Sequence, residues 1–386
     1  MDNKTADEDT AKAYDYPERV IEPMEHLKFK IGQGKISASL ACSLGILSFL
    51  AVLCFKFPTY LTTAELRETY DLNFLRSMLQ YGIIGSLAFG MLTFMIGKFR
   101  RIAAVGILFC IGALMMGGHK VETGPLKETP MAFGLDWLVL AFVFSAILFI
   151  FLEKVFPKYK EQAILRPEWK LDVFYFAFNH LLITALLLAG NFFVASYFGW
   201  AVSETFQNWI QSTPIWAQVI ILLLCADFVL YWSHRTFHED EKLWKIHAVH
   251  HSVEHMDWMA GSRNHVIQML VDRCLAMVPL YLLGASKEAL DIYVAIAAFQ
   301  AVYVHANVHI PVGPLKYIFC TPQYHHWHHS SEEPAIDTNY AVHLPLYDMI
   351  FGTYHMPGKK WPAHYGTVRR LPRTFLTQLA YPFRKD

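Results

Sequence analysis

Residues 227–252 read DFVLYWSHRTFHEDEKLWKIHAVHHS, and five histidines fall within the eighteen positions from His234 to His251. His234 and His238 are four apart, while His247, His250 and His251 stand at i, i+3 and i+4. On a helix those spacings stack side chains on one face, with Cβ atoms about 5–6 Å apart. Neutral imidazole is the commonest nitrogen ligand of zinc, iron and copper. Two short helices turning such faces to each other would chelate metal between them. The pattern recurs downstream: QYHHWHHS sets His325, His328 and His329 at the same spacing, and HANVH sets His305 and His309 four apart. Sixteen of the nineteen histidines lie between His234 and His364, which chance clustering of a sparse residue does not explain.

The elements that must position these residues are apolar. The 386 residues are 54% hydrophobic and 17% charged, with a mean hydropathy of +0.27, against about 25% charged residues in soluble domains. Zero net charge leaves no electrostatic footprint for a nucleic acid. Six scattered cysteines, none in a CxxC, read as core or lipid-facing residues. A bilayer crossing takes ~20 apolar residues. Six stretches have or approach that length: 36–55, 78–97, 102–118, 137–155, 173–199 and 215–232. The loop after the second carries Lys98, Arg100 and Arg101, and the loop after the fourth carries Lys154, Lys158, Lys160, Arg166 and Lys170. Residues 200–214 hold no Lys or Arg. The positive-inside rule then puts the N-terminus and the basic loops inside, and delivers His234 to the cytoplasmic face. The acidic start of the chain is not a signal peptide and is expected to be a flexible tail.

The apolar region 265–304 is interrupted by Asp272 and Arg273, with Lys287, Glu288 and Asp291 marking a turn. It is expected to form a helical hairpin that enters and returns, with no need to cross fully. An even number of crossings brings His305 and His309 back to the side of His234. An odd number would separate them by ~30 Å of hydrocarbon. Residues 312–386 turn polar and aromatic and end in Arg369, Arg370, Arg373, Arg384 and Lys385. The expected fold class is all-α: a polytopic membrane bundle with a cytoplasmic histidine-rich di-metal cap.

The set HRTFH, HAVHH, HANVH and HHWHH, with TPxxHxxHH and the trailing DTNY (337–340) and FGTY (351–354), resembles the fatty acid hydroxylase/sterol desaturase superfamily. The resemblance covers about residues 165–360. It implies a catalytic unit over 156–360, after a polar tail (1–35) and membrane helices (36–155) and before a basic tail (361–386). It also implies a nonhaem metal pair that activates O2 and attacks an unactivated C–H bond of a lipid. Ten ligands follow from it: His234, His238, His247, His250, His251, His305, His309, His325, His328 and His329. Iron is the expected metal, and zinc is accepted by the same donors. Ten neutral ligands leave two divalent ions at +4. Asp227, Glu239, Glu254 and Asp337 are therefore expected to orient ligand imidazoles. His265, expected with them behind the ligands, stands in RNHV where sterol-acting members carry His-Pro, which weakens a sterol assignment.

No haem-binding HPGG motif is present. The resemblance thus implies a separate electron carrier of the cytochrome b5 or ferredoxin type with its reductase. Hydroxylation of a fatty acyl or polar-lipid chain leads. Sterol oxidation or desaturation, alkylglycerol cleavage and carotenoid hydroxylation follow. The competing class is a membrane metal transporter, although transporters place ligands near the midplane of the spans. A bacterial inner membrane and the endoplasmic reticulum both suit the chain. Isolated histidines, and the Trp and Tyr residues near span ends, read as packing and interfacial residues. The basic stretch 154–170 reads as an inward-facing loop.

Overall fold

The computed structural model describes residues 33–127, 129 and 132–384, so most of the polar segment expected to be a tail lies outside the described residues. Among those residues the regular elements are all helices, and β contacts are confined to isolated bridges such as Pro157 with Val308. The all-α expectation holds. Six helices are long and apolar enough to cross a membrane.

Helices α1 (Lys35–Lys56), α2 (Leu72–Ile96) and α3 (Arg100–Met115) pack into a bundle of their own. Apolar burial gives little drive inside a membrane, so close backbone approach must replace it. A Cβ added to Gly45 would run into the Gly106 carbonyl, and one added to Gly106 into the Ala41 carbonyl. Ser86 Oγ donates to Ala41 O at 2.8 Å across the same seam. The stretch 102–118 does not yield a full span. Its helix has 16 residues and stops where Gly117 takes a positive φ of 86°. At about 1.5 Å per residue it falls short of a ~30 Å hydrocarbon core.

Helix α4 (Leu135–Val155) follows, tied to the preceding connection by Asp136, which accepts from Thr63 N, Thr63 Oγ1 and Tyr70 Oη at 2.8–2.9 Å. Then come α5 (Trp169–Phe198), the short amphipathic α6 (Glu204–Ser212) and α7 (Ile215–Glu239). Asp240 ends α7 and caps α8 (Glu241–His251), accepting from Lys242 N and Leu243 N. One residue thus sets the bend between two histidine-bearing helices.

The hairpin consists of α9 (Val266–Leu283) and α10 (Lys287–Tyr303), turning at Gly284 with φ 55°. Its tip reaches the end of the bundle opposite the histidines. Gln211 Nε2 donates to Gly284 O at 2.7 Å, Gln207 Nε2 to Tyr281 O at 2.9 Å, and Ser286 N to Gln218 Oε1 at 2.9 Å. The hairpin therefore runs the whole depth of α7, and Val304 returns to the end where His265 left.

The cap holds α11 (Pro322–His328), α12 (Leu346–Phe351) and α13 (Phe375–Leu379). Asp227, buried on α7, accepts from the amides of Val342, His343 and Leu344 at 2.8–3.0 Å, pinning the cap loop to the span. Asp348 does the same from within the cap, accepting from Tyr340 N, Ala341 N, Thr353 Oγ1 and Tyr324 Oη. Asn339, at φ 60°, bonds the carbonyls of Tyr324 and His355 through its amide. The basic end of the chain folds back: Tyr175 Oη on α5 donates to Gln378 on α13 at 2.9 Å.

Candidate metal centre

The histidine spacings sort the imidazoles into two groups. His234 and His238 from α7, His247 and His251 from α8, and His328 from α11 form the first. His250 from α8, His305 just past α10, and His325 and His329 at α11 form the second. Within each group one ring nitrogen per residue lies within 4.8 Å of all the others. The i, i+3, i+4 pattern explains the sorting. On α8, His247 and His251 share a stripe and His250 occupies the next one. On α11 and its C-cap, His325 and His329 share a stripe and His328 turns to the other group. The groups adjoin, since the rings of His251 and His329 stack with centroids 4.4 Å apart.

The outer nitrogens fix the tautomers. Nδ1 of His234, His250, His305 and His328 lies 2.6–3.0 Å from the carbonyls of Tyr340, Arg263, Ala301 and Thr338. A carbonyl only accepts, so each Nδ1 carries the proton and each Nε2 is left a bare lone pair. Nδ1 of His247 meets Gln268 Oε1 at 2.8 Å, and that of His238 meets Asp337 Oδ1 at 3.3 Å. The inner nitrogens nevertheless crowd together. Nε2 separations are 2.9 Å for His234–His247, 3.0 Å for His247–His251 and 3.0 Å for His251–His328. In the second group they are 3.2 Å for His250–His305, 2.9 Å for His305–His325 and 3.1 Å for His325–His329.

Between His234 and His247, and between His250 and His305, two lone pairs thus face each other, which is not a hydrogen bond and in a buried site repels. A cation between them reverses the sign of the interaction. Ligand nitrogens at about 2.1 Å from a metal, at right angles, sit about 3 Å apart. His238 Nε2 is buried with no partner of its own. The donor set therefore fits a pair of divalent transition metals. Charge state agrees on the cap elements. Burial first, and neighbouring imidazoles second, hold His247 and His251 well below the ordinary histidine range, and burial brings His250 to about 3. The rings are neutral at pH 7, as ligation requires.

Nine of the ten expected ligands come together, and His309 does not. Its ring packs on Trp361 with centroids 5.5 Å apart, and its amide donates to Phe156 O. The helix ends at Tyr303, so the four-residue spacing from His305 no longer stacks the two rings. Of the expected carboxylates only Asp337 touches a grouped imidazole. Asp227 serves backbone amides, Glu239 pairs with Arg235 at 2.7 Å, and Glu254 meets Arg370 at 3.5 Å. His265 caps α9 through Ile267 N, and its Nε2 lies 3.0 Å from Leu379 O. Gln268 was not foreseen. A polar residue opening an apolar helix was the available signal.

Beneath the second group lies a buried ionic lattice. Arg263 donates to Asp172 at 2.7 Å and Glu168 at 3.0 Å, and Arg166 pairs with Asp172 at 2.7 Å and Asp257 at 2.8 Å. Glu153, also buried, accepts from Trp258 N and from Asn307 N, two residues past His305. The lattice clamps the loop from His251 to Val266 against α5 and so fixes the Arg263 carbonyl that orients His250.

Asp337→Asn is expected to weaken metal affinity by roughly 10–100-fold, the usual consequence of losing a carboxylate behind a ligand. Glu239→Gln is expected to change it by less than about twofold, because the pair it breaks is an exposed one. Metal titration of the two purified variants separates them; equal affinities would deny Asp337 its role.

Residues 219–353 match the fatty acid hydroxylase family. Over 185 residues the chain is 38% identical to the ornithine lipid hydroxylase OlsE of Rhizobium tropici, covering 48% of this chain and 56% of that protein. Over 140 residues it is 34% identical to human alkylglycerol monooxygenase, covering 36% and 30% of the two. A very-long-chain aldehyde decarbonylase of Oryza sativa subsp. indica, GL1-5, is 29% identical over 160 residues, covering 37% and 25%. The chain thus spans about half the length of the first of these relatives and less of the others. No solved structure matches it. The matched stretch runs from α7 to the turn after α12 and contains all nine grouped imidazoles, so the likeness of residues 219–353 to the fatty acid hydroxylase family takes in the whole candidate centre.

Proposed function

We propose that the chain is a membrane-bound di-iron hydroxylase of a polar lipid, inserting one oxygen atom of O2 into a C–H bond of an acyl chain. The second oxygen atom leaves as water, with two electrons and two protons supplied through a separate carrier of the cytochrome b5 or ferredoxin type. The observation that carries the reading is the pair of adjoining, buried imidazole groups at one end of a bundle of membrane helices. The pairing of relatives, one an ornithine lipid hydroxylase and others alkylglycerol monooxygenases, supports a lipid substrate and an oxygen-inserting reaction.

An iron pair, when bound, would supply the oxidising power that no amino-acid side chain has. The chain's own residues do the rest. His234, His238, His247, His251 and His328 would hold one ion; His250, His305, His325 and His329 the other. The carbonyls of Tyr340, Arg263, Ala301 and Thr338, with Gln268 and Asp337, keep each proton on Nδ1 so that Nε2 stays available. The cap loop, pinned through Asp227 and Asp348, closes water out of the groups. The basic loop before α5, with Lys154, Lys158, Lys160, Arg166 and Lys170, supports a cytoplasmic side for this end of the bundle. A transporter needs a path from the groups into the spans. Here the rings are gathered at span ends and sealed by the cap.

Cells making the chain, grown under 18O2, should contain a lipid heavier by one labelled oxygen. The purified protein should lose turnover on chelation and regain it with Fe(II). Turnover that survives complete demetallation would sink the proposal, and metal uptake into vesicles without any oxygenated lipid would favour transport.

A further inference from the structure

His309 leaves the metal groups and faces a different feature, a pocket of about 310 Å³ on the rim of the cap. Its walls include His309, Lys316, Thr321, Gln323, Lys359 and Trp361, and no carboxylate. Lys158 sits 5.0 Å above the Trp361 ring, adding a third ammonium at the edge. Lys158, Lys316 and Lys359 form no ion pair among the described residues. The indole N–H of Trp361 is buried and has no acceptor. Three ammonium groups and an unmatched donor around one concavity ask for an anion with several oxygen atoms.

The depth of the pocket names the source of that anion. One wall is held to the membrane-exit end of α4: His309 N donates to Phe156 O at 2.8 Å and Lys158 N to Asn307 O at 3.2 Å. The same wall begins just beyond α10, at Val304. The pocket therefore sits where two helices leave the bilayer. Beside it runs an exposed apolar ridge of Leu315, Tyr317, Ile318 and Phe319, each about half exposed. Lysines level with headgroups, over apolar residues level with acyl chains, match a lipid standing in the membrane.

We propose that this pocket binds the anionic headgroup of a membrane lipid. Two of its lining stretches, 308–313 and 321–323, begin three residues after His305 and end two residues before His325 of the second imidazole group. The site is distinct from the metal-binding residues and does not depend on the hydroxylase reading.

The full chain in detergent, examined by native mass spectrometry, should bind short-chain phosphatidylglycerol at least tenfold tighter than short-chain phosphatidylcholine. Lys316→Gln/Lys359→Gln should weaken the anionic lipid roughly thirtyfold, at about tenfold per 1.4 kcal/mol and ~1 kcal/mol per interfacial lysine. Trp361→Phe, which keeps the ring and removes the donor, should weaken it less but measurably. Metal content should stay at the wild-type level in both variants, which shows that the cap has folded. Equal binding of the two lipids, or undiminished binding by the double variant, would overturn the proposal. So would inorganic phosphate displacing phosphatidylglycerol as effectively as the lipid itself does, since the site would then take free anions. Because the readout is binding, an inactive hydroxylase leaves this test intact.

Discussion

Replacing His305 by alanine is expected to lower bound metal from two ions per chain to one or fewer and to bring oxygen insertion to background. His305 is the hub of the smaller group. Its Nε2 lies 3.2 Å from that of His250 and 2.9 Å from that of His325. It is also the only grouped ligand contributed by the α9–α10 hairpin. Four imidazoles without a thiolate or carboxylate leave little redundancy, and three in a partly collapsed site would hold a divalent ion weakly. The contrast is His309→Ala, four residues on, which should leave metal content unchanged because that ring lies on Trp361. Metal analysis and single-turnover assays of the two variants decide the matter. Two ions and full turnover in the His305 variant would remove this residue from the centre.

The second large effect is expected from Arg263→Met, which should destabilise the protein by about 3–5 kcal/mol, the cost of stripping one partner from a buried ionic set. Arg263 is fully buried, as is Asp172 beneath it. Without the guanidinium, Asp172 keeps only Arg166, and Glu168 keeps only the distant Arg373 at 3.6 Å. The damage should spread to the metal centre, because the loop that carries the Arg263 carbonyl also orients His250. Arg263→Lys should recover only part of the loss, since one ammonium does not reproduce a fork that reaches Asp172, Glu168 and Ser252 together. Thermal unfolding in detergent, with metal content measured alongside, tests both statements. A melting curve matching wild type would mean that the lattice is decoration.

These expectations show which parts of the site a sequence can display. The i, i+3, i+4 histidines of α8 and α11 were legible because helical periodicity turns spacing into direction. His309 was misplaced for the same reason: the spacing was read as helical, but the helix had ended at Tyr303. The partners of Nδ1 were largely invisible. Four of the six are backbone carbonyls, which every residue has and no sequence marks. Asp227 was read as an imidazole's partner because it shares a face with His234. The loop 342–344, more than a hundred residues away, reaches its carboxylate first, and nothing local announces that return. The long apolar helices were legible from composition. The shortfall of α3 and the full depth of the hairpin depend on where Gly117 and Gly284 break the chain, and both breaks lie inside or beside apolar runs that conceal them.

The splitting of α8 and α11 between the two imidazole groups would make two bound ions mutual prerequisites. Each helix serves both cages, so the first ion to arrive freezes rotamers and helix positions that the second also needs. The entropy of ordering is then spent once for two events. Uptake should be cooperative, with apo and doubly loaded chains in equilibrium and the singly loaded form scarce. A short supply of metal would then give fewer complete centres rather than many half-filled ones.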